Sequence, residues 1–400
     1  MLPYTNWNTE QLRIPIVTAA VLTLLLSACQ NDPDPTGIGL IPDSDLIGAN
    51  KFDSQQEGST ITSGTVQLAL PAATSPTLSV GEAEGLEAAA LLRWFSLSDT
   101  IGNGGRIISA NIRLFTEKYF IGDSSAALTL ELHEINSFWN AFTFNADTLW
   151  NSQFAYDSKV VGSVTQALSF PDSIDIALDT TLVRDWLVKM NTADHLSNYG
   201  VLLKAPGNAG IRAFQSGEAG QPPQLTVIIQ TAFGLDTLQG GTFDDTFVAR
   251  GPEDVTQGEG ITLFGGIGVR GQLHFDLSAI PAADIINYAE LYLTIDRTRS
   301  DENYHAPDSL IMYQVYTEGS VETAGTGLLS HVDEENPDRV VLEGVTMTRA
   351  VQDWVNGKGN YGLLLTHPYE VSDLNRLVFY GAEADSTRRP RLIVTYTSKP

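Results

Sequence analysis

Four short motifs occur twice in this chain in the same order, and that collinearity constrains the fold more than any other feature. Val183-Arg184-Asp185-Trp186-Leu187 returns as Val351-Gln352-Asp353-Trp354-Val355, and Asn198-Tyr199-Gly200-Val201 returns as Asn360-Tyr361-Gly362-Leu363. The segment from Phe214 to Ala219 then answers Phe379 to Ala384, and Pro223 to Val227 answers Pro390 to Val394. Upstream, Phe95-Ser96-Leu97-Ser98 matches Phe275-Asp276-Leu277-Ser278, and Ile107 to Ala110 matches Ile285 to Ala289. Only loop lengths differ between the matches, which is the signature of a duplicated structural unit. The copies are expected at 56–232 and 233–400.

Each copy reads mostly as strand. Ile112 and Leu114, then Leu128, Leu130 and Leu132, then Ile174, Ile176 and Leu178, then Leu225, Val227 and Ile229 alternate at period two, as half-buried strands do. In the second copy Leu291, Leu293 and Ile295, and Leu392, Val394 and Tyr396, repeat the pattern. One short helix per copy is expected, because Val183, Trp186, Leu187 and Met190 fall on one helical stripe, as do Met347, Val351, Trp354 and Val355. Thr180 or Thr181, and Thr346 or Thr348, are the expected caps, with Gly357 ending the second helix. The stripes place Trp186 and Trp354 in the core. With 35 Gly, 18 Pro and 42% hydrophobic residues, the composition also favours an all-β chain with many turns.

The chain has one cysteine, so no disulfide framework can hold the fold. Leu26-Ser27-Ala28-Cys29 resembles the lipobox of bacterial lipoproteins, and the apolar run 14–26 suits a signal-peptide h-region, being shorter than the roughly 20 residues of a membrane span. The resemblance implies a signal peptide over 1–28, acylation of Cys29, and an extracytoplasmic chain tethered by lipid to the outer membrane or cell surface. Cleavage there removes Glu10 and Arg13 together and leaves the net charge at −25, which excludes nucleic acid as a natural partner. Residues 29–55, rich in Asp, Pro and Gly, read as a flexible tether. Their acids resemble the export signals of surface lipoproteins in the Bacteroidetes, although a plain solvated linker has the same composition.

Phe275 to Ser278, Ala289-Glu290-Leu291-Tyr292-Leu293, Val351 to Trp354, Asn360 to Leu365, Phe379 to Glu383 and Arg389 to Leu392 together resemble the DNRLRE domain. This is a family of extracellular β-sandwich modules grouped with carbohydrate-binding modules. Phe138-Trp139 and Phe142-Thr143-Phe144-Asn145 are similar to its tryptophan-bearing segment, whereas the second copy has Val315-Tyr316-Thr317-Glu318 there and no tryptophan. The resemblance implies two tandem jelly-roll-like sandwiches that bind polysaccharide. The alternative is a structural or assembly protein of a surface or secretion complex, docking surface proteins and no glycan.

Catalysis needs a clustered acid, base, nucleophile or metal set. The six histidines are scattered without metal-ligand spacing, and nucleophile-elbow and phosphate-loop patterns are absent, so a non-catalytic chain without a cofactor is expected. The candidate ligand-stacking residues are loop aromatics that only one copy has: Tyr119, Phe120, Trp139, Trp150, Tyr304 and Tyr369. Phe138, Trp139, Phe142, Phe144 and Trp150 are equally dense enough to form a satellite cluster over one face. Asp244, Asp245, Asp333 and Glu334 could supply oxygen ligands for a structural calcium, or could be solvated acids. An acidic polysaccharide would need a local basic loop, for which Arg297 with Arg299 and Arg388 with Arg389 are the candidates.

Overall fold

The computed structural model describes residues 48–56, 59–94, 105–152, 154–167, 169–189, 198–207, 210–252, 255–301 and 308–398. Cys29, the signal peptide and most of the tether, and Tyr304, lie outside the described residues. The chain is mostly β, 48% strand against 8% helix, in several antiparallel sheets.

Two leading strands, β1 (Ala49–Asp53) and β2 (Ile61–Gln67), come first. They are followed by β3 (Thr77–Ala83), β4 (Leu86–Arg93), β5 (Arg106–Ile121), β6 (Ala127–Ile135), α1 (Ala146–Trp150), β7 (Tyr156–Ala167), β8 (Ser173–Ala177), α2 (Thr180–Lys189), β9 (Val201–Lys204), β10 (Gly210–Gln215) and β11 (Gln224–Thr231). The order then starts again with leading strands β12 (Gly234–Gly241) and β13 (Asp244–Arg250). After them come β14 (Ile261–Phe264), β15 (Val269–Phe275), β16 (Ile285–Thr294), β17 (Ile311–Gln314), β18 (Leu328–Leu329), β19 (His331–Val332), β20 (Arg339–Glu343), α3 (Val345–Val355), β21 (Leu363–Thr366), β22 (Arg376–Phe379) and β23 (Arg391–Thr397).

The repeated motifs among the described residues occupy equivalent places, while Phe95 to Ser98 and Met190 lie outside them. Ala110 faces Val227 across β5 and β11 as Ala289 faces Val394 across β16 and β23, and both ladders slip by one residue at the same point, skipping Ile108 and Asn287. In the Asn-Tyr-Gly turns, Asn198 donates to the Trp94 carbonyl at 3.0 Å and accepts the Gly200 N–H, while Asn360 donates to the Phe275 carbonyl at 2.8 Å and accepts the Gly362 N–H. Glycine is required there: φ is 81° at Gly200 and 88° at Gly362, and a Cβ at Gly200 would stand 1.9 Å from the Leu92 carbonyl oxygen. Both stripe tryptophans are buried, Trp186 stacked on Trp94.

The helix starts differ from expectation. Asp179, not a threonine, caps α2 by accepting the Thr181 N–H at 2.9 Å. The second repeat helix begins at Gly344, whose φ of 95° turns the chain without a side-chain cap. The first copy also carries the extra five-residue helix α1, capped by the Asn145 side chain.

Sheet membership cuts across the boundary at 232/233. Strand β2 pairs along its length with β15 of the second copy, and β13 pairs in the same way with β4 of the first. Likewise β1 adds to β23, as β12 adds to β11. The leading pair of each copy thus completes the other copy's core. Strand β1 therefore lies inside the stretch 29–55 that composition marks as tether. Phe52 is buried in the second core, and Asp53 accepts from Arg391 at 2.5 Å.

The first half, β3 to β13, is one eleven-stranded sheet, because the 16-residue β5 is long enough to pair with β8 and β11 near its start and with β10 near its end. Its counterpart β16 has 10 residues and stays in a five-stranded sheet, so the second core lies between that sheet and a seven-stranded one. Asn50–Pro400 is one compact unit, and Leu374 of the second half is buried in the first core.

Because Trp186 and Trp354 each fill a core centre, replacing either by Ala should lower the unfolding free energy by about 3–5 kcal/mol through the cavity left behind. Urea denaturation measures this, and a loss below about 1 kcal/mol would contradict the packing described.

Candidate functional site

Strand β5 positions the site. Between the pairs Thr116–Phe214 and Phe120–Arg212 it carries more residues than β10 opposite, and its buried alternation slips from Thr116 to Tyr119. Such a bulge re-aims side chains. Here it leaves Lys118 exposed and Phe120 half-buried beside Arg212. The Thr116 hydroxyl donates to the Ser169 carbonyl at 2.8 Å, fixing the loop before β8 against the strand.

The result is a groove of about 400 Å³ lined by Thr116, Lys118, Phe120, Ser169, Phe170 and Arg212, with Glu117 as the one lining carboxylate. Each aromatic ring carries a cation: Lys118 Nζ lies 5.4 Å from the Phe170 ring centre, and the Arg212 guanidinium carbon lies 5.6 Å from that of Phe120. Arg212 is buried and spends its N–H groups on two carbonyls, of Ile211 at 2.9 Å and of Asp123. Burial draws its pKa below the ordinary value, against the pull of Asp123. A cation desolvated in this way, beside an exposed ammonium and two rings, suits a ligand that has both an anionic group and an apolar face.

The structure scatters the other stacking candidates. Tyr119 is buried, and its hydroxyl accepts the Leu374 N–H at 2.8 Å, with burial holding its pKa well above the usual range. Trp139 is 2% exposed and donates to the Tyr199 carbonyl, packing with Phe144 in a satellite core over the first half. Trp150 packs against that cluster, donates to Glu87 at 3.3 Å and lies under Arg250. Tyr369 is exposed, away from Phe120 in sequence and beside His367. Of the stacking candidates among the described residues, only Phe120 lines the groove. Phe138 and Phe142, expected within the satellite cluster, are largely exposed.

The acids expected around calcium are spent elsewhere. Asp244 pairs with Arg93, Asp245 accepts from Gly217 N–H at 2.8 Å and from Thr242, and Asp333 accepts from Arg339 and from Glu335 N–H. Glu334 is exposed. Among the described residues no group of three acidic, His or Cys side chains is placed to hold a metal ion. Three of the four arginines of the expected basic loops are neutralised, Arg297 by Asp308 and Asp338, Arg299 by Asp296, and Arg388 by Asp385, while Arg389 donates to the Gln55 carbonyl at 3.4 Å.

No protein-family model matches the chain, and no curated protein matches it. Among the described residues no helix is long and apolar enough to cross a membrane.

Beside the groove, the segment 367–376 joins the two halves. Thr77 donates to the Ser372 carbonyl at 2.7 Å, and Tyr119 holds Leu374. Burial pushes the neighbouring Asp373 carboxyl from 3.8 up to about 7, with Asp301 adding to the rise. The folded state thus holds this proton to higher pH than the unfolded chain does, and stability drains away as pH rises from about 4 to about 7. His367, drawn down by burial from 6.5 to about 4, acts in the opposite sense over most of that window, from about pH 4 to about pH 6.5. His367 Nδ1 lies 3.5 Å from Asp373 Oδ1, so the carboxyl is isolated by comparing Asp373→Asn with its parent in a His367→Gln background. The variant should gain stability relative to that parent from pH 4 to pH 7, by on the order of a few kcal/mol. A difference that stays flat in chemical denaturation across this range would contradict the burial argument.

Proposed function

We propose that this chain is a non-catalytic lipoprotein of the outer membrane or cell surface, whose two halves are jelly-roll-like β-sandwich modules related to DNRLRE domains, and that it binds polysaccharide. The observation that carries this reading is Arg212, a buried guanidinium without a bound carboxylate, opening with Phe120, Phe170 and Lys118 into one groove. A uronic acid has the matching parts. Its carboxylate would meet Arg212 and Lys118, and the C–H face of its ring would lie on Phe120 or Phe170. In a chain of net charge −25 an acidic polymer is repelled over most of the surface, and Arg212 and Lys118 in one groove offset that repulsion locally despite Asp123 and Glu117 nearby. The Cys29 tether, if lipidated as its lipobox suggests, would hold the modules at the surface where such polymers are met.

The test is calorimetric titration of a polyuronate and of a neutral glucan into the full-length protein. A charge-assisted bond contributes roughly 1.5–3 kcal/mol, so Arg212→Gln should weaken polyuronate binding about 10- to 100-fold. Phe120→Ala should weaken it about tenfold, and added salt should weaken the wild type. Failure of every acidic and neutral polysaccharide to bind would leave the assembly protein as the better reading.

A further inference from the structure

The two halves treat one surface position differently. On the outer face of the first half, Trp139 donates its indole N–H to the Tyr199 carbonyl at 2.8 Å. Its ring centre lies 4.8 Å from the Arg93 guanidinium carbon, and Phe138 meets the Tyr199 ring edge-on at 6.5 Å. The face beneath is apolar, with Leu91 and Leu202 in the same satellite core as Trp139. An apolar face of this kind has to be covered, and the chain covers it with its own segment.

Register locates the same position in the second half. Leu92 faces Val201 as Leu273 faces Leu363, and Ile135 and Val315 each donate their N–H to the glycine carbonyl of the Asn-Tyr-Gly turn. Tyr361 therefore stands where Tyr199 does, His274 where Arg93 does, Gln272 where Leu91 does, and Gly64 where Thr246 does. The plug has no counterpart. After Val315 comes Tyr316, whose ring lies instead along Gly325, 3.4 Å from where a Cβ there would stand. A groove of about 240 Å³ remains, lined by Thr62, Gly64, Gln272, His274 and Tyr361, with Tyr361 41% exposed.

We propose that this groove docks an aromatic loop of a partner protein, which seats a tryptophan on Tyr361 and His274 as Trp139 is seated on Tyr199 and Arg93. The features that hold Trp139 have counterparts here: the tyrosine ring, a basic side chain alongside it, and the carbonyl before the turn glycine that receives the indole N–H. Two differences fit an occupant that comes and goes. Gln272 in place of Leu91 makes the groove floor wettable, and Leu364, the counterpart of Leu202, is already buried, so the opening beside Tyr361 needs no permanent cover. Gly64 leaves the strand open, with nothing within 4 Å of a Cβ built on it. Tryptophan in a small pocket is a common anchor of protein interfaces, and the groove has room for little more than one such ring.

The probe is a synthetic peptide with the sequence of residues 136–145, titrated into the full-length protein and followed by fluorescence anisotropy. Saturable binding is expected, at least tenfold weaker for the peptide with Trp139→Ala and for the protein with Tyr361→Ala. Gly64→Trp fills the groove from a strand position with free space above it. It should abolish binding at unchanged thermal stability, which keeps the test decisive if Tyr361→Ala misfolds. No binding, or binding indifferent to these substitutions, overturns the proposal. So does saturable binding of cellohexaose, lost in Gly64→Trp, with none of the peptide, since that makes the groove a saccharide subsite.

Discussion

The ladder between β2 and β15 closes the molecule. It joins strands about 200 residues apart, as the bond from Gln67 to the Ile267 carbonyl shows, and closing a loop of that length costs about 5 kcal/mol in chain entropy. Seven paired positions, the burial of Phe52 and the Asp53–Arg391 pair offset that cost. The first half needs no such closure, because β12 and β13 follow β11 directly in sequence. The second half is completed from the opposite end of the described chain. The halves are therefore linked by shared strands as well as by surface contact, and Leu374 reinforces the link by entering the first core.

This arrangement lets duplicated halves carry different surfaces. The conserved geometry lies in the interior: the asparagine turns, the matching ladder slips and the tryptophan stripes recur because each core needs them. The outer faces are under no such constraint. The first half extends β5, gains a groove with two cations, and covers its outer sheet with Trp139 and Phe144. The second half keeps a shorter β16 and leaves the corresponding face open around Tyr361. Electrostatics divides the surface in a similar way. In a chain with 48 acidic and 23 basic residues, Arg93, Arg270 and Arg391 each pair with a carboxylate, whereas the buried Arg212 bonds two carbonyls.

Much of the interior was legible in the sequence. Period-two alternation identified Leu128, Leu130, Leu132, Leu225, Val227, Leu291 and Leu293 as inward strand positions, and all are buried. Helical spacing placed Trp186 and Trp354 in the core for the same reason: periodicity reports which side of an element is dry. It does not report which strand is the neighbour. Nothing in Ile61–Gln67 says that its partner is β15, and a single strand has the same pattern whichever sheet it joins. The groove was hidden in a related way. Lys118, Phe170 and Arg212 belong to separate elements, and the bulge that turns Lys118 outward breaks the alternation on which the reading relied. Aromatic type alone could not separate Phe120, at the groove, from Trp139, already packed.

Hydrogen exchange on a chain lacking residues 49–67 tests the shared-strand closure most directly. Protection should collapse in β15, β21 and β23, whose core and ladders lose β1 and β2, and should persist in β4, β9 and β11, which are completed by β12 and β13. Unchanged protection throughout the second half would mean that the leading strands merely decorate an independently stable module, and would contradict the account.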